Sequence, residues 1–360
     1  MWLNVLIVLI KILFFLTCVL TLTALLTWVE RKQSAVMQDR LGANRAPVFG
    51  IRAFGLMHIV SDALKMFFKE DYVPPGGDKL LHTAAPFAAL FFALMSFAAI
   101  PFGDSIMIAG QRIELQVLEL NVGLLFVFAM MSLGIYGTFL AGFSSNNKYA
   151  FLGGLRASSQ MISYEITMGA TLVGVLMIFG TLDLAELNRA QGGLLWGWLP
   201  KWGILFQPLG FLLFVTAGMA ETKRIPFDLP EGESEIIGYF VEYSSMKFGA
   251  FFMTDFVETI LIAALIATLF FGGWQVPYLQ TDGFHLPGGF FLALPGFLVT
   301  LLQIAAFAVK VVFFCWFLVL IRWTLPRFRY DQLMRLGWKF LLPLSVLNIF
   351  VTASVLLFIK

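Results

Sequence analysis

The sequence predicts an all-α integral membrane protein. Eight transmembrane helices form one bundle, with an interfacial amphipathic helix and charged loops on its cytoplasmic side. Three observations predict this. Hydrophobic residues fill 59% of the 360 positions and charged residues only 13%, against about 25% charged in an average soluble domain. Apolar runs of the ~20 residues needed to cross a bilayer recur eight times. Lys and Arg concentrate in alternate connections between those runs. The chain shows no internal repeat and no low-complexity linker, so residues 1–360 read as a single domain.

The eight runs cover about 2–29, 82–102, 120–143, 160–180, 202–221, 248–274, 290–321 and 338–359. The first is too long for a secretory signal and lacks its basic start and small-residue cleavage site, so it is expected to remain as a membrane helix. The longer runs must tilt or extend past the hydrocarbon. Eighteen of the 24 Lys and Arg residues lie in loops 30–81, 144–159, 222–247 and 322–339. Those loops are therefore cytoplasmic (or face a mitochondrial matrix), and both termini are on the opposite side.

Within the first loop, Leu56, Val60, Ala63, Leu64 and Phe67 follow helical spacing, while Arg52, Asp62, Lys65 and Lys69 take the other face. The pattern over about 51–71 suits a helix lying along the membrane surface. The alternative is a core helix of a small cytoplasmic lobe.

Composition excludes several classes of function. A net charge of +2 gives nucleic-acid binding no electrostatic support. The only cysteines, Cys18 and Cys315, sit in separate apolar runs and are expected as buried structural thiols. Two cysteines cannot ligate an ordinary iron–sulfur cluster, which needs four. His58, His82 and His285 avoid the middle of every apolar run, which argues against a haem held between helices. No phosphate-binding loop, metal-ligand spacing or nucleophile elbow is present. Any redox cofactor is expected on other chains.

The informative residues are the charges. Glu30 ends the first run, Glu165 lies nine residues beyond Arg156, Glu221 closes the fifth run, and Asp255 and Glu258 lie one turn apart in the sixth. All fall toward the cytoplasmic half. A charge inside a span costs a few kcal/mol even on lenient scales, so it usually faces a polar interior or a partner. A hydrated proton path or a ligand cavity is the functional reading. The structural alternatives are an interfacial Glu30 beside Arg31 and Lys32, and a Glu221–Arg224 pair one turn apart. Glu165 and Asp255 have no cation near them in sequence. Lys310 lies deep in the seventh run and predicts an acid partner, with Asp255 and Glu165 as candidates. Lys11 has no partner that the sequence identifies.

One connection is unusually charged. "AETKRIPFDLPEGESEIIGYFVEY", residues 220–243, holds six acids and two bases. Pro226 and Pro230 break helical continuity. Glu231, Glu233 and Glu235 fit the first turn of a short helix, where the macrodipole favours carboxylates. Crowding raises the proton affinity of each acid unless cations answer it, and Arg31, Lys32, Arg40 and Arg45 are candidates.

These stretches resemble the subunit 1 (or H) family of respiratory complex I. "ERKQSAVMQDRLGANRAP" is similar to the family's first-loop signature and "SDALKMFFKED" to its surface helix. "NNKYAFLGGLRASSQMISYE" is similar to its third-to-fourth connection, the loop above to its acidic loop, and "IRWTLPRFRYDQLMRLGWK" to the approach to its last helix. The resemblance runs almost end to end. It implies a membrane subunit of proton-translocating NADH:quinone oxidoreductase that carries no redox cofactor itself. Quinone is then the substrate, with FMN and iron–sulfur clusters on partner subunits of the membrane and peripheral arms. It also implies a quinone tunnel at Glu30, Arg31, Arg40, Arg45, Asp62, Lys65 and Phe227. The matching proton and coupling path comprises Glu165, Glu221, Glu231, Glu233, Glu235, Glu242, Asp255 and Lys310.

Four positions depart from the family pattern. Ala43 replaces a usual Pro, Asp255 a usual Glu, and Phe240 a polar residue, while Glu258 is an added acid. Two rival readings are a secondary transporter, which typically carries inverted repeats absent here, and the membrane anchor of a hydrogenase-type complex. The full ERK loop together with EGESE favours the quinone enzyme. The long 102–119 loop favours a bacterial cytoplasmic membrane over a mitochondrial one.

Overall fold

The computed structural model describes residues 2–47, 49–108, 111–230, 238–280, 282–286 and 290–359. Helix α1 spans Trp2–Met37, α2 Met57–Phe68, α3 Lys79–Ser96, α4 Gly123–Ser144 and α5 Lys148–Phe179. Then come α6 (Leu184–Ala190), α7 (Gly203–Phe206), α8 (Pro208–Glu221) and α9 (Ser245–Phe270). The chain closes with α10 (Gly296–Thr324), α11 (Tyr330–Leu336) and α12 (Leu342–Ile359), the last two joined by a π turn at Gly337–Leu341. Among the described residues, seven helices are long and apolar enough to cross a membrane.

The fifth predicted run, 202–221, is the exception, because Gln207 interrupts it between α7 and the 14-residue α8. Together α7 and α8 still cross the bundle. Gly203 packs against the backbone of Leu269 at the C-terminal end of α9, and the turn after α8 reaches Asp255 in its N-terminal half. Eight crossings therefore remain, one of them short.

Two connections turn out to be helix. The 144–159 segment is only a turn, because Asn147 caps α5 by accepting from the Tyr149 amide at 2.9 Å. Glu165 consequently lies ~26 Å along α5 from Lys148. The 322–339 segment likewise shrinks to Leu325–Arg329. At the other end of the bundle the loops form small hairpins: β1 (Ser105–Ile108) with β2 (Gln111–Glu114), β3 (Leu194–Leu195) with β4 (Leu199–Pro200), and an antiparallel β5 (Leu279–Gln280), β6 (Gly283–Leu286) and β7 (Phe290–Ala293).

Helix α9 is the centre. Nearly every residue from Thr254 to Phe270 is buried, as expected of a helix apolar all round. Helices α1, α3, α8 and α10 pack around it, α4 lies on α3, and α5 bridges α4, α8 and α12. Small residues permit the closest crossings. A Cβ on Gly137 of α4 would come within 2.7 Å of the Ala89 amide nitrogen of α3, and one on Gly218 of α8 within 2.7 Å of Ile262. The outer faces of α1, α10 and α12 expose large apolar residues such as Leu13, Phe313 and Phe350, as a lipid-facing surface must.

Helix α2 presents Val60, Ala63, Leu64 and Phe67 away from the bundle and turns Ile59, Asp62 and Met66 toward it. Its apolar stripe thus covers no core, which favours the interfacial reading over a cytoplasmic lobe. Cys315 is buried as expected, but Cys18 is exposed on α1. There it lines an apolar groove of about 400 Å³ together with Phe14, Leu25, Ile260, Phe307 and Val311.

Candidate functional site: a charged junction above buried carboxylates

The charged-loop end of the bundle is tied together by Glu30. At the last turns of α1, its carboxylate meets Arg322 of α10 at 2.7 Å and Arg224 at 3.0 Å. The three side chains are mostly buried. Glu30 is thus neither a free interfacial acid nor a partner of Arg31, and Arg224 answers Glu30 rather than Glu221. The Arg224 guanidinium also lies 3.8 Å from the Phe256 ring centroid.

Next to it, Arg31 of α1 pairs with Asp62 of α2 at 2.5 Å, and the Trp28 indole donates to the Phe54 carbonyl at 3.1 Å. These contacts hold the surface helix against α1. Arg40 turns to Gln38 and Ser34, and Arg45 and Lys65 are exposed. Glu231, Glu233, Glu235 and the short helix expected there lie outside the described residues.

Phe227 is buried between Phe328 and Tyr164, with ring centroids at 5.5 and 6.0 Å. Gln160 of α5 donates to the carbonyls of both Ala220 and Phe227 at 2.7 Å. Arg327 donates to the Asp228 carbonyl at 2.8 Å and pairs with its carboxylate at 3.4 Å. The first part of the charged connection is therefore clamped onto α5 and the segment before α11. Its far end is held as well. Glu242 accepts from the Asn147 side chain at 2.7 Å, and the Tyr243 ring stacks on buried His82 at 3.9 Å.

Below this junction sit the buried acids. Glu221, 1% exposed, has no hydrogen-bond partner for either carboxylate oxygen. Glu165 accepts from the Ser132 hydroxyl of α4. Asp255 and Glu258 share one face of α9, and a cation that the sequence did not single out reaches both. Lys223 follows α8 with a left-handed backbone (φ 54°), which turns its side chain back into the bundle. Its ammonium lies 3.2 Å from Asp255 and 3.4 Å from Glu258. Burial opposes that charge, but Glu258, Tyr239 and Asp255 outweigh it and hold the proton affinity of Lys223 well above that of an ordinary lysine. Glu221 lies within electrostatic range of Glu165, Glu258 and Lys223. Glu221 and Glu258 also share the wall of a small cavity with Met131 and Met161, with about 10 Å³ of room for a water centre.

Two lysines sit elsewhere than expected. Lys310 has no acid partner among the described residues. Its ammonium donates to the carbonyls of Phe271, Gly273 and Gln275 at 2.7–2.8 Å, capping the C-terminal end of α9, away from Asp255 and Glu258 near the middle of that helix. An unspent helix end with three converging carbonyls satisfies a cation as a carboxylate would. Lys11 donates to the Gln116 carbonyl at 3.0 Å and lies 3.8 Å from Glu119. Nineteen residues separate it from Glu30, ~28 Å of helix, so it reaches the opposite interface rather than the middle of the span.

Lys223 and His82 carry no signal in the sequence. Lys223 reads there as part of a solvated charge run, and only its positive φ directs it inward. His82 stands at the start of an apolar run, a position that predicts nothing about its stacking partner.

Comparison with known proteins places the chain in a family. A family model described as NADH dehydrogenase matches residues 10–353. The H 1 subunit of the NADH-quinone oxidoreductase of Cytophaga hutchinsonii is 42% identical over 334 residues, covering 92% of each chain. The H 2 subunit of the Geobacter sulfurreducens enzyme is 44% identical over 342 residues, covering 95% of this chain and 94% of its own. The H-type subunit of the Thermomicrobium roseum enzyme is 43% identical over 344 residues, covering 94% and 93%. With its helical bundle and nearly its whole length matched, this multi-pass membrane chain belongs to the NADH dehydrogenase family, among the H-type subunits of the NADH-quinone oxidoreductase complex.

Proposed function

We propose that this subunit forms the quinone access route of a proton-translocating NADH:quinone oxidoreductase and couples quinone reduction to proton movement. The observation that carries the reading is the gathering of Glu221, Asp255 and Glu258 directly beneath the connection that runs from Lys223 to Asp228. Buried carboxylates of this density are rare within a membrane unless they serve a polar path. A charged connection clamped directly above them can pass on a change in charge.

The apolar groove between α1, α9 and α10 supports the quinone half of the reading. It runs from Phe14 to Leu25 along α1 and ends about one and a half turns short of Glu30. An isoprenoid tail is apolar and fits such a surface, while Glu30, Arg224, Arg322, Arg31 and Asp62 offer polar groups to a headgroup approaching from the charged side. Quinone is then the substrate, and FMN and iron–sulfur clusters belong to partner subunits docked on the charged loops. Those loops are cytoplasmic and both termini periplasmic in a bacterial inner membrane, following the distribution of Lys and Arg.

The test is Glu221→Gln, with Glu233→Gln beside it, in the assembled complex. Both variants should assemble yet lose coupled quinone reduction. Normal quinone reduction and proton translocation in both would rule the account out.

A further inference from the structure

We infer that Glu258 is a proton-carrying residue that exchanges with Glu221 through the small cavity between them, and that Lys223 is its positioning residue. The inference rests on the coupling role proposed above and adds two residues to it.

Three observations lead here. Lys223 is 2% exposed and sits between two carboxylates at nearly equal distances, 3.2 Å and 3.4 Å. Neither contact has the alignment of a hydrogen bond, so the ammonium is held by charge and is locked to neither acid. Glu258 is the acid of this pair that also lines the cavity with Glu221, whose oxygens have no other partner. At about 10 Å³ the cavity matches the space that one water needs.

The charges explain the motion. Lys223 faces Asp255 and Glu258, and Glu221 adds a third carboxylate within its range. Arg224, paired with Glu30, also acts electrostatically on Glu258 without touching it. A solvent proton arriving from the charged-loop end bonds to Glu258 and neutralises it. The ammonium then belongs to Asp255 alone. The O–H bond at Glu258 breaks as a water in the cavity takes that proton and gives another to Glu221, where a new O–H bond forms. Glu258, again a carboxylate, recovers its share of Lys223. One proton moves from Glu258 to Glu221, and no electron is exchanged.

The experiment uses membrane vesicles carrying the whole complex, with assembly measured by detecting this chain in the intact particle. NADH-driven quinone reduction and protons moved per quinone are both read for E258Q, K223M, the charge-neutral double variant K223Q/E258Q, and E221Q, with K223R beside K223M. The inference expects E258Q and the double variant to lose coupled turnover about a hundredfold or more, the low end for a proton-transfer group. It expects K223M to follow them and K223R to restore most of the rate. A merely structural ion pair gives the opposite result in E258Q, because Asp255 still answers the ammonium and the assembled complexes keep the wild-type number of protons per quinone. Should the single variants fail to assemble, the double variant decides. Wild-type coupling in E258Q or in the double variant, with E221Q impaired, overturns the inference and leaves the proposed function standing. Wild-type coupling in all four, E221Q included, overturns both.

Discussion

Glu30 and Arg322 meet at 2.7 Å across α1 and α10, the first and sixth long helices of the bundle, and the same carboxylate holds Arg224 at 3.0 Å. One acid therefore joins α1, α10 and the charged connection that follows α8. It is the point where the proposed quinone route and the connection above the buried acids touch.

Replacing Glu30 with Gln removes the carboxylate that Arg322 meets at 2.7 Å and that Arg224 shares. Removing one member of such a pair typically costs about 3 kcal/mol, more than a neutral hydrogen bond to glutamine returns. The thermal unfolding midpoint of the detergent-solubilised complex should fall clearly. An unchanged midpoint would mean that the two arginines find other partners.

Lys310 gives a prediction of the opposite kind. Lys310→Met strips the donor from the carbonyls of Phe271, Gly273 and Gln275. Leaving buried carbonyls unsatisfied costs about 1–3 kcal/mol for each group that water cannot reach. Stability should drop, while protons moved per quinone in the complexes that remain stay at the wild-type value. A lost coupling ratio with stability intact would return Lys310 to the proton path.

Gly137 tests the packing of α4 on α3. A valine there must place its Cβ 2.7 Å from the Ala89 nitrogen, a backbone atom that cannot swing aside. Overpacking of this kind costs on the order of 2–3 kcal/mol or more. The level of assembled subunit should fall with Gly137→Val and fall less with Gly137→Ala. Wild-type levels for both would show that the two helices separate at little cost.

The bundle is legible in the order of residues alone, because a hydrocarbon core imposes one length and one polarity on every crossing. The presence of acids in the apolar runs is legible too, although Asp255 and Glu258 fall near the middle of α9 rather than at its opening. Periodicity predicts α2 as a helix and groups Val60, Ala63, Leu64 and Phe67 on one face, but not that Asp62 turns toward the bundle to meet Arg31. Which charges meet is a matter of tertiary structure. Glu30 could have answered Arg31 beside it, yet it answers Arg224 and Arg322, nearly 200 and 300 residues away. Lys310 could have sought a carboxylate, yet three carbonyls at a helix end lie closer. Lys223 reads as solvated, and a single left-handed residue turns it inward. The physical reason is common to all three. Burial requirements act on each residue locally and are written in the order of residues, whereas the partner that satisfies a buried charge depends on which helices cross beside it.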